Sequence, residues 1–172
     1  RQLRSLFEDM LEVSYLENLT EPLPRSYLNL CALCRSQLRA MKIRCPKTGV
    51  AYADGIPAET IAVVSSEKYL GVLLSALLGN AYKFTREGHI RLECGREGDE
   101  RVYIAVTDTG CGIPPEKYDQ AFERFTKLDP FSQGNGLGLY LCRLIVRHLG
   151  GEIRIDPEYT EGTRIVVVLP RK

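Results

Sequence analysis

The sequence predicts an α/β two-layer sandwich: a mixed β-sheet backed on one face by about three helices and preceded by a helical stub. Three observations carry that reading. A long amphipathic helix is written over Glu67 to Phe84, where Leu70, Leu73, Leu74, Leu77, Leu78 and Ala81 recur at helical spacing. Two alternating strands follow, His89 to Cys94 and Val102 to Thr107, joined by the polar hairpin Gly95–Arg101. A second helix, Gly136 to Leu149, stops at Gly150-Gly151 and leads into strands Glu152–Ile155 and Thr163–Leu169.

The elements before and between these follow in order. Leu3, Leu6, Met10, Val13 and Leu16 recur at helical spacing with acids between them, so residues 3–19 read as a helix. Glu21-Pro22-Leu23-Pro24 stops it and forms a short, stiff linker. A helix of that length has no core of its own, which divides the chain into a stub (residues 1–21) and one compact domain (residues 22–172). A helix over Ser26 to Met41 carries Tyr27, Cys31, Cys34, Leu38 and Met41 on one apolar stripe and Arg35, Arg39 and Lys42 on its solvent face. No acid occurs between Glu21 and Asp54, so that basic face is either solvated or a docking face. Val50–Ala53 and Thr60–Val64 read as strands, separated by the turn Asp54-Gly55-Ile56-Pro57. Ser65 or Ser66 caps the leucine-rich helix. Glu116–Phe125 reads as a short helix and Lys127–Asn135 as a loop.

Composition excludes several classes of function. Lys and Arg total 23 against 22 Asp and Glu, a net charge of +1 without the electrostatic footprint of a nucleic-acid binder. The longest apolar run, Val72 to Leu78, is interrupted by Ser75 and is too short to span a bilayer. Six cysteines among 172 residues are too sparse for a disulfide scaffold. The single CxxC, Cys31–Cys34, lies on the apolar stripe and reads as core packing, which points to a reducing compartment. Only two histidines occur, His89 at the start of an edge-like strand and His148 at the end of a helix.

Three stretches carry residues that could do chemistry. Ala76, Asn80 and Lys83 share one helical face beside the leucine stripe. They are either a solvated helix end or a phosphate–metal corner, since Mg²⁺ takes hard oxygen ligands and keeps several waters. Asp108-Thr109-Gly110-Cys111-Gly112-Ile113 follows a buried-looking strand. It is either a tight turn or a carboxylate placed to accept a hydrogen bond from the exocyclic amine of adenine. Guanine presents an acceptor there, so the contact would discriminate between bases. Asp-Thr-Gly also occurs in aspartic proteases, but only one copy is present and a helix follows it. Gly134-Asn135-Gly136-Leu137-Gly138-Leu139 opens a helix, where unhindered N–H groups and the helix dipole favour phosphate. Its spacing is neither a P-loop nor a dinucleotide-binding fingerprint.

Taken together and in order, Asn80…Lys83-Phe84-Thr85, Asp108–Ile113, Phe122-Glu123-Arg124-Phe125, Gly134–Leu139 and Gly162-Thr163 resemble the N, G1, F, G2 and G3 boxes of sensor histidine kinases. The resemblance covers residues 22–172. Leu6–Glu17 looks like the end of the second helix of a dimerisation and phosphoacceptor domain, and Lys127–Gly134 is similar to the short lids of sensor kinases from Bacteroides-type bacteria.

The resemblance implies the Bergerat ATP-binding fold, with ATP and Mg²⁺ as ligands. Asn80 would ligate Mg²⁺, Lys83 would contact phosphate, and Phe84 would lie against the nucleotide. Asp108 would read adenine, with Gly110 and Gly112 letting the backbone approach the base beside Ile113. Phe122 and Phe125 would anchor the lid, and Lys127 would approach the γ-phosphate. Gly134, Gly136 and Gly138 would wrap the phosphates around Leu137, and the Thr163 hydroxyl would support the adenine-site carboxylate.

The implied partners are the chain's own dimerisation and phosphoacceptor domain and the receiver domain of a response regulator. The whole protein would be a homodimer, and this part of it would be the cytoplasmic portion of a membrane-anchored sensor, with no membrane or nucleic-acid contact of its own. Two features depart from the family pattern: Ala76 stands where Asn or an acid is usual, and neither histidine is followed by an acid as in the His-Glu phosphorylation motif. The phosphoacceptor is therefore expected upstream. A catalytically impaired nucleotide-binding module, an ATPase of the same superfamily and an anti-sigma-type serine kinase remain as alternatives.

Overall fold

The computed structural model describes residues 2–126 and 136–172. Helix α1 (Gln2–Asn18) precedes strand β1 (Ser26–Asn29), helix α2 (Leu30–Arg44), strands β2 (Val50–Gly55) and β3 (Ala62–Ser65), and helix α3 (Glu67–Phe84). Strands β4 (Gly88–Glu97) and β5 (Arg101–Asp108) form a hairpin. A 3₁₀ turn (Pro115–Lys117), helix α4 (Tyr118–Ala121), helix α5 (Gly138–His148) and strands β6 (Glu152–Ile155) and β7 (Thr163–Pro170) complete the chain.

The main sheet has the order β2-β4-β5-β7-β6. The β2–β4 pair is parallel and the other pairs are antiparallel, so the predicted mixed sheet is found. Alternation assigns one residue in two to the helical layer. Ile90, Leu92 and Cys94 of β4, Val102, Ile104 and Val106 of β5, and Ile165, Val167 and Leu169 of β7 are all buried. The apolar stripes of α2, α3 and α5 cover this face. Helix α3 has the predicted bounds, because Ser66 accepts a hydrogen bond from the Tyr69 N–H at 3.2 Å and the whole leucine face is buried. Cys31 and Cys34 are wholly buried, and Cys94 Sγ lies 3.8 Å from Cys31 Sγ, so the CxxC pair is core.

Four expectations are corrected. Ser26–Asn29 is a strand, not the first turn of α2: it pairs antiparallel with β3, Ser26 opposite Ser65 and Asn29 opposite Ala62. The Asn29 side chain then caps α2 by accepting the Cys31 N–H at 3.1 Å. Tyr27 is consequently 78% exposed and leaves the apolar stripe. The hairpin strands run on through Glu97 and resume at Arg101, since that pair continues the ladder and Gly98 adopts φ 71° in the turn. His89 lies on an inner strand, because β4 is flanked by β2 and β5. Finally, the helical stretch of 116–125 is confined to Pro115–Ala121.

Helix α1 packs against α5 and is anchored through polar groups. Glu17 accepts hydrogen bonds from the Tyr140 hydroxyl (2.6 Å) and from Arg124. Tyr69 donates its hydroxyl to Glu12 at 2.8 Å, and the His148 ring lies 2.6 Å from the Leu16 carbonyl. The opposite face leaves Phe7, Met10, Leu11 and Tyr15 exposed.

Candidate nucleotide-binding site

The first corner is built where β5, β7 and the end of α3 meet. Asp108 is the last residue of β5, opposite Thr163 at the start of β7, and is only 3% exposed. Its Oδ1 accepts the main-chain N–H groups of Gly110 (2.9 Å) and Thr163 (3.2 Å). Burial raises the Asp108 pKa above its ordinary value, while these two N–H groups and the charge of His89 pull it back. The contact from Thr163 is thus made by its N–H rather than by the hydroxyl expected from the sequence, because strand pairing presents the main chain of β7 to the carboxylate.

Close backbone approach explains two glycines here. A Cβ on Gly110 would sit 2.3 Å from the Phe84 carbonyl oxygen, and one on Gly162 would sit 2.1 Å from the Asp108 carbonyl oxygen. The loop after β5 is pinned at its other side by Thr109, whose hydroxyl accepts the His89 N–H at 3.0 Å and donates to the Glu87 carbonyl at 3.0 Å. Ile113 is partly buried and packs against the core.

The second corner is a hollow of about 900 Å³ above α3, lined by Ala76, Asn80, Lys83, Gly138, Arg44 of α2 and Asp9 of α1. Crowding around the Lys83 ammonium lowers its pKa, and the negative charge of Asp9 acts in the opposite direction. Gly138 begins α5; among the described residues no side chain caps this helix start and a Cβ on Gly138 would meet no atom within 4 Å. Leu137, just before it, is buried in the core at 1% exposure and braces the helix start.

The fold therefore brings Asn80, Lys83 and Gly138 together. It gathers Asp108, Gly110, Gly112 and Thr163 into an adjoining group, and Phe84 joins the two: it follows Lys83 in α3 and its carbonyl meets Gly110. Phe122 is buried as an anchor, but Phe125 is 54% exposed. Phe125 adopts φ 60°, and the backbone of Gly136 (φ 73°) crosses directly against it, so this position turns the chain rather than filling the core. Lys127 and Gly134, with the whole Lys127–Asn135 lid, lie outside the described residues.

Sequence reasoning missed Tyr159, whose hydroxyl donates to the Asp108 carbonyl at 2.9 Å, and Asp9, which α1 carries into the hollow. Neither position bears a local signal. Both depend on where a loop and a helix dock.

Comparison with known proteins agrees with this architecture. Residues 65–172 match the family model described as histidine kinase-, DNA gyrase B-, and HSP90-like ATPase. The adaptive-response sensory kinase SasA of Gloeothece citriformis is 32% identical over 173 residues, covering 99% of this chain and 44% of that protein. The sensor protein SrrB of Staphylococcus aureus is 36% identical over 104 residues, 58% of this chain and 18% of that protein. The chain thus spans less than half the length of these relatives. Among solved structures, full-length ShkA in complex with AMPPNP superposes with a TM-score of 0.88 at 27% identity, over 98% of this chain and 35% of that one. The mycobacterial sensor histidine kinase MprB gives 0.73 at 25% identity, over 85% of this chain and 97% of that one. With its Bergerat-type sheet and helical layer, the chain belongs to the histidine kinase-, DNA gyrase B- and HSP90-like ATPase family, and over nearly its whole length it is similar to part of a sensory kinase.

Proposed function

We propose that this domain binds Mg·ATP and transfers the γ-phosphoryl group to a histidine outside the chain, on an adjoining dimerisation and phosphoacceptor domain, for relay to an aspartate on the receiver domain of a response regulator. The observation that carries this reading is the buried Asp108 carboxylate, held by two main-chain N–H groups and joined through Phe84, whose carbonyl lies against Gly110, to the hollow that Asn80, Lys83 and Gly138 line. A carboxylate in that setting accepts the exocyclic amine of adenine. Lys83 and the N-terminus of α5 offset the charge of the phosphate chain.

The Asn80 amide presents a hard oxygen in the same hollow, which fits Mg²⁺ shared with phosphate oxygens. Bound there, the ion would neutralise charge on the β- and γ-phosphates. In the transfer the bond between the γ-phosphorus and the β–γ bridging oxygen breaks and a P–N bond to the imidazole forms. A loose phosphoryl-transfer transition state asks the protein for positioning and charge neutralisation rather than for a covalent intermediate. Lys127 is assigned to the γ-phosphate, Gly134 and Gly136 to the phosphate wrap, and Phe84 and Ile113 to the walls of the nucleotide site.

Residues 1–21 are read as the end of the dimerisation helix. Their exposed Phe7, Met10, Leu11 and Tyr15 suit a face that a second copy covers, making the whole protein a homodimer. No helix among the described residues is long and apolar enough to cross a membrane. The cytoplasmic part of a membrane-anchored sensor is the setting we propose. Ala76 in the hollow supports a second reading, a nucleotide-binding module with impaired transfer.

Labelled ATP separates these possibilities. The chain alone is expected to remain unlabelled and to label a phosphoacceptor domain supplied in trans. A stable label on His89 or His148 overturns the assignment, an unlabelled acceptor domain favours the impaired module, and steady phosphate release favours an ATPase.

A further inference from the structure

Tyr159 belongs to none of the recognised motifs. It stands half-buried in the loop between β6 and β7, and its hydroxyl donates to the main-chain carbonyl of Asp108 at 2.9 Å. Gly162, three residues on, keeps that approach clear, since a Cβ there would collide with the same carbonyl oxygen and lie 2.9 Å from Gly110 N. The next residue is fixed as well: the Thr109 N–H donates to the His89 carbonyl at 3.2 Å, and its hydroxyl bridges Glu87 and His89. The peptide joining Asp108 to Thr109 is therefore held at its carbonyl by Tyr159 and at its N–H by β4. The plane of that peptide sets the direction in which the Asp108 side chain leaves the backbone. Burial pushes the Tyr159 phenol above its ordinary range, so it remains protonated and a donor throughout neutral pH.

We propose that Tyr159 is a positioning residue for Asp108, and that by fixing the carboxylate it sets the preference for adenine over guanine nucleotides. This rests on Asp108 reading the purine amine. A carboxylate free to swing accepts from alternative donors and discriminates less. A fixed one rewards the adenine amine and leaves the guanine carbonyl unpaired against a buried charge.

Affinities for ATP and GTP of the native chain, Tyr159→Phe, Asp108→Asn and the double variant test this, with melting curves as control. Tyr159→Phe should weaken ATP binding by up to about fivefold, the limit set by the energy of one neutral hydrogen bond. It should leave GTP binding unchanged, so that the ATP/GTP ratio falls. In the Asp108→Asn background the same change should cost nothing further. An Asp108→Asn variant that binds ATP normally removes the base-reading role and this inference with it. If Asp108→Asn weakens ATP binding but Tyr159→Phe leaves the ratio intact, or costs as much in the Asp108→Asn background, the positioning role alone is overturned.

Discussion

Gly162→Ala puts the carboxylate corner under the sharpest steric test. The added Cβ would stand 2.1 Å from the Asp108 carbonyl oxygen, 2.8 Å from its carbonyl carbon and 2.9 Å from Gly110 N. All three are main-chain atoms, so no side chain can rotate away, and β5 and β7 must separate by roughly 1 Å to restore ordinary contact. Overpacking of this kind costs about 1–3 kcal/mol, or about 2–12 °C in melting temperature for a domain of this size. The same separation stretches the hydrogen bond from Thr163 N–H to Asp108 Oδ1, already 3.2 Å long. A bond to a charged acceptor contributes about 2 kcal/mol, which sets an upper bound of about thirtyfold on the fall in ATP affinity.

Gly79→Ala is the control for thermal melting alone, since Gly79 lines the hollow beside Asn80. It lies inside α3 with nothing within 4 Å of the new methyl group, and should stabilise the domain by about 0.5–1 kcal/mol. Calorimetric titration of the Gly162→Ala chain with ATP and thermal melting of both variants decide the matter. A Gly162→Ala chain that binds ATP and melts like the native protein refutes the role given to this backbone crossing.

Other perturbations address the remaining parts. Asn80→Ala should reduce the gain in ATP affinity that Mg²⁺ confers over a chelator control, while leaving adenosine binding nearly unchanged; an intact magnesium effect counts against the amide as a ligand. The lowered pKa of Lys83 means that ATP binding should weaken as pH rises through a value below the ordinary 10.5, and Lys83→Arg should abolish this alkaline loss. Stability moves in the opposite sense: within that window the unfolded chain binds the extra proton, so folding free energy from this group improves as pH increases. Ser66→Ala removes the cap of α3 and should cost about 1 kcal/mol, read as a melting point about 2–4 °C lower.

What could be read from the sequence was what short-range physics determines. The bounds of α3 follow from a capping serine and an unbroken leucine period, and both act within one turn. Ser26–Asn29 imitates a helical turn because Tyr27 fits the period of Cys31 and Cys34, while the force that makes it a strand comes from β3, more than thirty residues away. The same division runs through the site. Asp108 and its glycines are visible because few residue types tolerate such a turn, and Asn80 with Lys83 is visible because helical spacing sets them side by side. Tyr159 and Asp9 are invisible for want of any periodicity: loop closure delivers the first and helix docking the second. Thr163 shows a finer limit, since the family resemblance identified the residue but not which of its atoms meets the carboxylate.

Both groups that grip Asp108 Oδ1 are backbone amides, and backbone amides have no rotamers and no residue identity. Recognition anchored in this way is inherited through the path of the chain. Most neighbouring side chains are then free to drift provided that one acid and a few residues lacking a side chain persist. The chain shares 27% of its residues with ShkA over the matched region and superposes on it with a TM-score of 0.88, which fits a site whose grip is written in the course of the main chain.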